Sequence, residues 1–196
     1  LRADCAGKRV ILHTSCHPRL ADTEETIASF QPLDGDFIHV ILVGDAQRVR
    51  SEEEMPLGFD YDGRILQVPA PDNYESLHRK LFYAYMLFDL LAPPELLIKI
   101  DDNILLQKPA DFTACIDRVA AAGAPCAGRQ VGSTHHASQW HGWHIGKCAD
   151  PLVEARGYQY PLPRAYAAGG HGYMLSPAGL GACSYMYLAM KEFFAM

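Results

Sequence analysis

The sequence predicts an α/β domain with a central, mostly parallel sheet flanked by helices, and three observations predict it. Short apolar runs rich in Val, Ile and Leu alternate with stretches of helical period through the first half of the chain. Turn and breaker residues fall between the runs, where connections are needed. With 196 residues and 49% hydrophobic composition, the chain can bury a sizeable core as one domain.

Taken in order, RVILHT (Arg9 to Thr14) reads as a first strand. DTEETIASF follows, with Asp22 three residues before Glu25, a capping-box spacing that opens a helix. DFIHVILVG is a second, buried strand ending at Gly44, and RILQV a third, stopped by Pro69 and Pro71. From Tyr74 to Leu91, Leu77, Leu81, Ala84, Tyr85, Phe88 and Leu91 recur at helical spacing, until Pro93 and Pro94 end the element. LLIKI (Leu96 to Ile100) is a fourth strand and PADFTACIDRVAAAG a helix. Beyond it, GRQVGSTHHASQWHGWHIGKCADP mixes Gly, His, Trp and Ser in a way that suits short strands and binding loops. AYAAGGHGYMLSP gives a glycine-rich turn feeding a short strand, and a last helical run spans Pro177 to Phe194. No repeat or low-complexity tract interrupts this, so residues 1–196 read as one domain with a sheet-rich half, 1–122, and a loop-rich half, 123–196.

Charge and composition exclude some functions. A formal net charge of −6 with scattered Lys and Arg leaves no basic stripe, which argues against nucleic-acid binding by phosphate neutralisation. No apolar run approaches the roughly 20 residues of a membrane helix, and nothing at the start resembles a signal peptide. The sequence opens at Leu1, so an upstream leader or anchor is left open, and a membrane enters only through such a segment. Six cysteines without a C-x-x-C pair give poor support for structural zinc and read as free or buried thiols, with bridges as the alternative.

The chemistry concentrates in LLIKIDDNILLQ (96–107), where a buried strand runs straight into Asp101, Asp102 and Asn103. Adjacent carboxylates at a strand end repel each other and lose solvation, so a cation usually balances them. Such oxygen ligands suit magnesium or manganese shared with substrate phosphates, and ligands of open α/β sheets lie beyond the carboxyl ends of the strands. The competing reading is a capped strand end whose carboxylates meet water or Lys99.

Four segments in order, DNYESLHRKL (72–81), LLIKIDDNILLQ, GWHIGKC (142–148) and YQYPLPRAYAAGGHGYMLS (158–176), resemble landmarks of the inverting beta-1,3-glycosyltransferases. That family of galactosyl- and N-acetylglucosaminyltransferases includes the Fringe enzymes. Asp72, Tyr74, Leu77 and Lys80 fall on its D-S-Y-x-N-L-T-L-K segment; Lys99, Asp101 and Asp102 on K-x-D-D-D-x-F-V-N; Trp143 on a K-W-Y-V-type strand. Tyr160, Pro161, Tyr166, Gly170, Gly172, Tyr173, Leu175 and Ser176 fall approximately on Y-P-x-Y-x-x-G-x-G-Y-V-L-S. The opening RVILHTS resembles the family's R-x-x-I-R-x-T-W, with His13 for its Arg and Ser15 for its Trp.

The resemblance covers about residues 9 to 180 and implies a GT-A, Rossmann-like nucleotide-sugar-binding domain. It implies a UDP-sugar donor held near His13, Asp72, Lys80, Asp101, Asp102 and Asn103, in the half 1–122. A glycan or glycoconjugate acceptor would approach by Trp143, Gly169, Gly170 and His171, in the half 123–196. Manganese or magnesium would sit at Asp101, Asp102 and Asn103, with Asp101 toward the ribose or a metal-bound water and position 103 as the direct ligand. Galactose or N-acetylglucosamine would then move with inversion to a hydroxyl in beta-1,3 linkage. Such enzymes work in the Golgi lumen behind an anchor in eukaryotes, and a bacterial relative in the cytoplasm.

Two departures qualify the resemblance. Asn103 offers a neutral carbonyl where the family has a carboxylate, which predicts weaker metal affinity unless Asp102 takes over the contact. The family's acidic base, in an E-D-V-x-x-G stretch after the Y-V-L-S strand, is not found before Met196; Glu192 matches no motif. A chain that continues further is the first expectation, a base from elsewhere the second, and a non-catalytic nucleotide-sugar- or glycan-binding protein the third. A metal-dependent phosphohydrolase on the same carboxylates is a further alternative, weakened by the lack of a second acidic cluster. His135, His136, His141 and His144 read as loop histidines rather than a zinc site, and Trp140 and Trp143 as core or sugar-stacking residues.

Overall fold

A computed structural model describes residues 1–33, 35–45, 47, 58–131, 145–155, 166–167 and 169–195. After a short helix α1 (Arg2–Cys5), the elements run β1 (Arg9–Thr14), α2 (Leu20–Ala28), β2 (Ile38–Gly44), β3 (Asp60–Tyr61), β4 (Ile65–Val68), α3 (Leu77–Leu91) and β5 (Leu96–Asp101). The second half adds α4 (Pro109–Ala122), β6 (Cys126–Gly128), β7 (Gln130–Val131), α5 (Pro151–Ala155), β8 (Tyr166–Ala167), β9 (Tyr173–Leu175) and α6 (Pro177–Ala195).

Seven strands form one sheet in the order β3-β4-β2-β1-β5-β9-β6, and β7 pairs with β8 apart from it. The four central strands are parallel; β3, against β4, and β9, against β5 and β6, run antiparallel. This is the α/β, Rossmann-like architecture expected from the sequence, and β6 and β9 bring the second half into the same sheet.

Strand alternation sorts the side chains onto two covered faces. Val10, Leu12, Val40, Leu42 and Leu97 face a core closed by Ala84, Leu87 and Phe88 of α3 and Leu180 of α6. Ile11, Ile98 and Ile100 face the other, with Phe30, Phe37 and Ile116 of α4. Because β1 is covered on both sides, every residue from Val10 to Thr14 is buried. Register places the end of β1 beside the end of β5, Thr14 opposite Asp101, so Ser15 and Asp102 leave the sheet as neighbours.

Two boundaries differ from the sequence expectation. Helix α2 begins at Leu20 rather than at Asp22, with no side-chain cap, because a one-turn 3-10 helix over His17–Arg19 already starts the winding. Asp22 sits in the first turn of α2 and pairs with the Arg19 guanidinium at 3.3 Å instead of capping. Helix α3 starts at Leu77 because Asp72 to Asn73 are held in the preceding loop, where the Asn73 side chain accepts the Ser76 amide at 3.0 Å.

Candidate functional site

In the parallel core β4-β2-β1-β5, successive connections run outward on one side of β1 and then cross to the other side to reach β5. The chain therefore leaves the ends of β1 and β5 in opposite directions, opening a crevice beyond their carboxyl ends, the place where open α/β sheets bind ligands. A cleft of about 410 Å³ occupies it, lined among others by Ser15, Arg19, Asp72, Lys80, Asp101 and Asp102.

Asp72 joins three elements. One carboxylate oxygen accepts the Gly44 amide at 2.8 Å and the Lys80 ammonium at 3.0 Å; the other accepts the His17 amide at 2.7 Å and contacts His17 Nδ1 at 2.8 Å. Burial is the largest single influence and raises its pKa, yet the His17 and Gly44 amides and Lys80 together hold it below the usual carboxylate range. Lys80, only 2% exposed, also donates to the Ser15 carbonyl at 2.8 Å. It is thus a buried strut between α3 and the loop after β1.

At the end of β5 the two acids diverge. Asp102 is 6% exposed; its Oδ2 lies 3.3 Å from the Ser15 hydroxyl and 3.3 Å from Arg19 Nε, and its carbonyl accepts from Thr26 at 2.7 Å. Burial raises its pKa, opposed by Arg19 and Ser15, while Asp101 raises it further. Asp101 is half-buried and bonds through Oδ1 to Lys99, two residues earlier on the same strand face. The alternative of a strand-end carboxylate meeting Lys99 therefore holds for Asp101, while Asp102 meets Arg19. Asn103 is exposed and lines the cleft.

Lys99 carries the connection further. It is 3% exposed and donates to the Gly169 carbonyl at 3.0 Å, its ammonium lying 5.9 Å from the Tyr173 ring centroid. The turn over Gly169–His171 is thereby tied to the acidic strand end, and a Cβ on Gly170 would lie 3.6 Å from Asp101 Oδ2. Gly172, at φ +91°, lets this turn close over the Lys99 carbonyl, 2.8 Å from where its Cβ would stand. His171 is exposed, with Nε2 2.8 Å from Arg129 Nη1.

Of the expected site residues, Asp72, Lys80, Asp101, Asp102 and Asn103 gather on one cleft. Gly169, Gly170 and His171 flank it through Lys99. His13 does not join them. It is 0% exposed and points into the core, its ring edge-on to Phe30 with centroids 6.0 Å apart. The reason is parity: His13 shares a strand face with Ile11, away from the cleft. Trp143 lies outside the described residues, as do Trp140, the four loop histidines, Tyr160 and Pro161.

Sequence reasoning missed Arg19, Gly44 and Lys147. Gly44 is needed because a Cβ there would stand 2.4 Å from the Ala70 carbonyl oxygen and 2.9 Å from Asp72 Cα. Lys147 reaches over Tyr74, 5.3 Å from the ring centroid, while the Asp150 amide donates to Glu75 at 2.7 Å. Nothing in the local pattern marks these residues, since their partners are distant in sequence.

Whether the donor set suits a divalent cation follows from these contacts. Among the described residues no group of three or more His, Cys, Asp or Glu is placed to hold a metal. Asp101 and Asp102 each have one oxygen committed to a protein cation and one without a described partner, and Asn103 adds an amide oxygen. Such a set fits a hard cation that completes its shell with ligand oxygens, not a cage made by protein alone.

No family model matches this chain, and no curated protein matches its sequence. Among solved structures, CMP:2-keto-3-deoxy-manno-octonic acid synthetase complexed with CTP is similar at TM-score 0.47 and 12% identity, over 95% of this chain and 83% of that one. All six cysteines are free thiols, and among the described residues no helix is long and apolar enough to cross a membrane.

Proposed function

We propose that the protein is a nucleotide-sugar-dependent glycosyltransferase that moves galactose or N-acetylglucosamine from a UDP-sugar to a hydroxyl of a glycan, with inversion and in beta-1,3 linkage. One observation carries this reading: segments 72–80 and 101–103, both part of the family resemblance, line the switch-point crevice together, and the turn over 169–171 is tied to the second of them through Lys99, 70 residues away in sequence. Separate structural roles would not require that convergence.

In this reading the chain's own residues do the following. Asp72 and Lys80 fix the loop after β1 against α3, giving the donor a rigid wall. Asp101, Asp102 and Asn103 would hold a manganese or magnesium ion, which when bound neutralises charge developing on a departing diphosphate. Lys99 keeps the Gly169–His171 turn, on the acceptor side, in register with that strand end. Trp143 belongs to the same acceptor side by resemblance.

A second reading, binding without turnover, is favoured by one observation. Each carboxylate that lines the cleft among the described residues is already paired with a protein cation: Asp72 with Lys80, Asp101 with Lys99, Asp102 with Arg19. A general base needs a carboxylate able to take a proton from the acceptor hydroxyl.

Assays of UDP release from UDP-galactose and UDP-N-acetylglucosamine, with manganese and a panel of glycan acceptors, decide between these. The proposal expects acceptor-dependent turnover that Asp102→Ala reduces by about 100-fold or more, the scale of losing a charge-stabilising group at a reaction centre. Donor binding with no turnover would select the binding reading. Phosphate release without any sugar acceptor would point to a phosphohydrolase instead.

A further inference from the structure

We propose that Arg19 is an anion-binding residue of the cleft, which exchanges its contact with Asp102 for the oxygens of a bound diphosphate. That the anion is a diphosphate rests on the nucleotide-sugar reading; that the site takes a phosphate-type anion rests on the geometry of Arg19.

Arg19 ends the 3-10 turn His17–Arg19 that follows β1, so the fold delivers its side chain to the crevice, and it lines the cleft. Its side chain is 44% exposed. Both of its ion pairs are made through Nε, at 3.3 Å to Asp22 Oδ2 and 3.3 Å to Asp102 Oδ2, and among the described residues neither terminal nitrogen has a partner. A guanidinium carries its donors in a rigid planar fork that matches two oxygens of one phosphate, and here the fork's outer edge is open.

The other cations of the region differ. Lys80 is buried and committed to Asp72 and the Ser15 carbonyl; Lys99 is buried and committed to Asp101 and the Gly169 carbonyl. Among the described residues the Lys147 ammonium has no hydrogen-bond partner, and it touches the Tyr74 ring rather than the strand-end acids. Arg19 alone among them combines open donors with contact to Asp102.

The contacts that Arg19 would give up are weak. The Asp22 pair is a solvent-exposed pair three residues apart, of a kind that contributes little. The Asp102 pair is a single long contact, whereas a phosphate offers two charge-assisted hydrogen bonds. Exchange also leaves the Ser15 hydroxyl as the described partner of Asp102 Oδ2, so anion capture and release of that carboxylate from the guanidinium are one movement. Without the guanidinium, Asp102 loses its described cation and the strand end becomes a better site for a metal ion alone.

Calorimetric titration of the full chain tests this with inorganic pyrophosphate, UDP and uridine in the absence of metal, then with manganese in the absence of nucleotide. Arg19→Gln is expected to weaken pyrophosphate and UDP about 10-fold or more, consistent with the loss of hydrogen bonds to a charged group. It should leave uridine unchanged and tighten manganese several-fold. Arg19→Lys, which keeps the charge but not the fork, should be intermediate. Pyrophosphate binding that depends on Arg19 while UDP fails to bind would retain the anion site and defeat the nucleotide reading. UDP binding of equal strength in wild type and Arg19→Gln would overturn the Arg19 assignment and leave that reading standing, and wild type binding neither anion would overturn both.

Discussion

His13 and His39 stack in the core with ring centroids 5.2 Å apart and share a 2.9 Å contact between His13 Nε2 and His39 Nδ1. Burial, then the neighbouring His39 and Arg64 charges, push the His13 pKa down to about 3 from 6.5, and its buried Nδ1 has no hydrogen-bond partner among the described residues. Between those two values the unfolded chain binds a proton that the folded one refuses, so stability falls as pH drops from about 6.5 toward 3. At pH 5 this one group should cost about 2 kcal/mol relative to pH 8. Urea denaturation at both pH values checks it: His13→Leu should remove about that much of the pH difference, and an unchanged difference would show that His13 does not titrate as a neutral core residue. Asp72 works in the same direction lower on the scale, since its lowered pKa gives stability that is lost as pH falls through it, and its slope remains in the variant. The position of His13 in the core was not legible in RVILHTS because a one-residue offset at a strand end decides between core and cleft. Ser15, two residues later and already past the strand, reaches Asp102 with its hydroxyl.

Strand ends, not strand interiors, determine what the elements present to the cleft. The end of β2 lies so close to the loop after β4 that a Cβ on Gly44 would stand within 2.9 Å of backbone atoms of Ala70, Pro71 and Asp72. Its amide is one of the donors that hold the Asp72 carboxylate. Gly44→Ala is therefore expected to destabilise the fold by about 2 to 3 kcal/mol, as for overpacking in a closed site, and to weaken whatever Asp72 and Lys80 help to position. Chemical denaturation measures the first and UDP titration the second; a stable variant with full UDP affinity would contradict the claim that this close approach shapes the crevice. The strands themselves were legible: β1, β2, β4 and β5 match their apolar runs within a residue or two, because the central β1 and β5 are buried on both faces and so carry continuous apolar runs, while β4 alternates buried and half-buried positions. The start of α2 was not, because Asp22 finds Arg19 and leaves the capping role that its spacing to Glu25 suggested.

At the scale of the whole molecule, pairing of β9 with β5 brings the second half of the chain to the first. Met174 opposite Ile98 and Tyr173 opposite Lys99 fix the glycine turn before β9 beside the acids after β5. The candidate site was legible to the extent that its residues sit in recognisable segments: Asp72, Lys80, Asp101, Asp102 and Asn103 were named from the sequence and line one cleft. The pair between Arg19 and Asp102 was not, since Arg19 meets Asp102 across 83 residues and only the parallel register of β1 and β5 makes them neighbours. The central claim is that the crevice beyond β1 and β5 binds the nucleotide diphosphate. Amide chemical-shift mapping of the full chain during titration with UDP and magnesium, a diamagnetic choice between the two candidate ions, tests it most directly. The account predicts that the largest shifts fall at Ser15, Arg19, Asp72 and Asp101 to Asn103; saturable UDP binding that leaves these amides unmoved, or no binding at all, would contradict it.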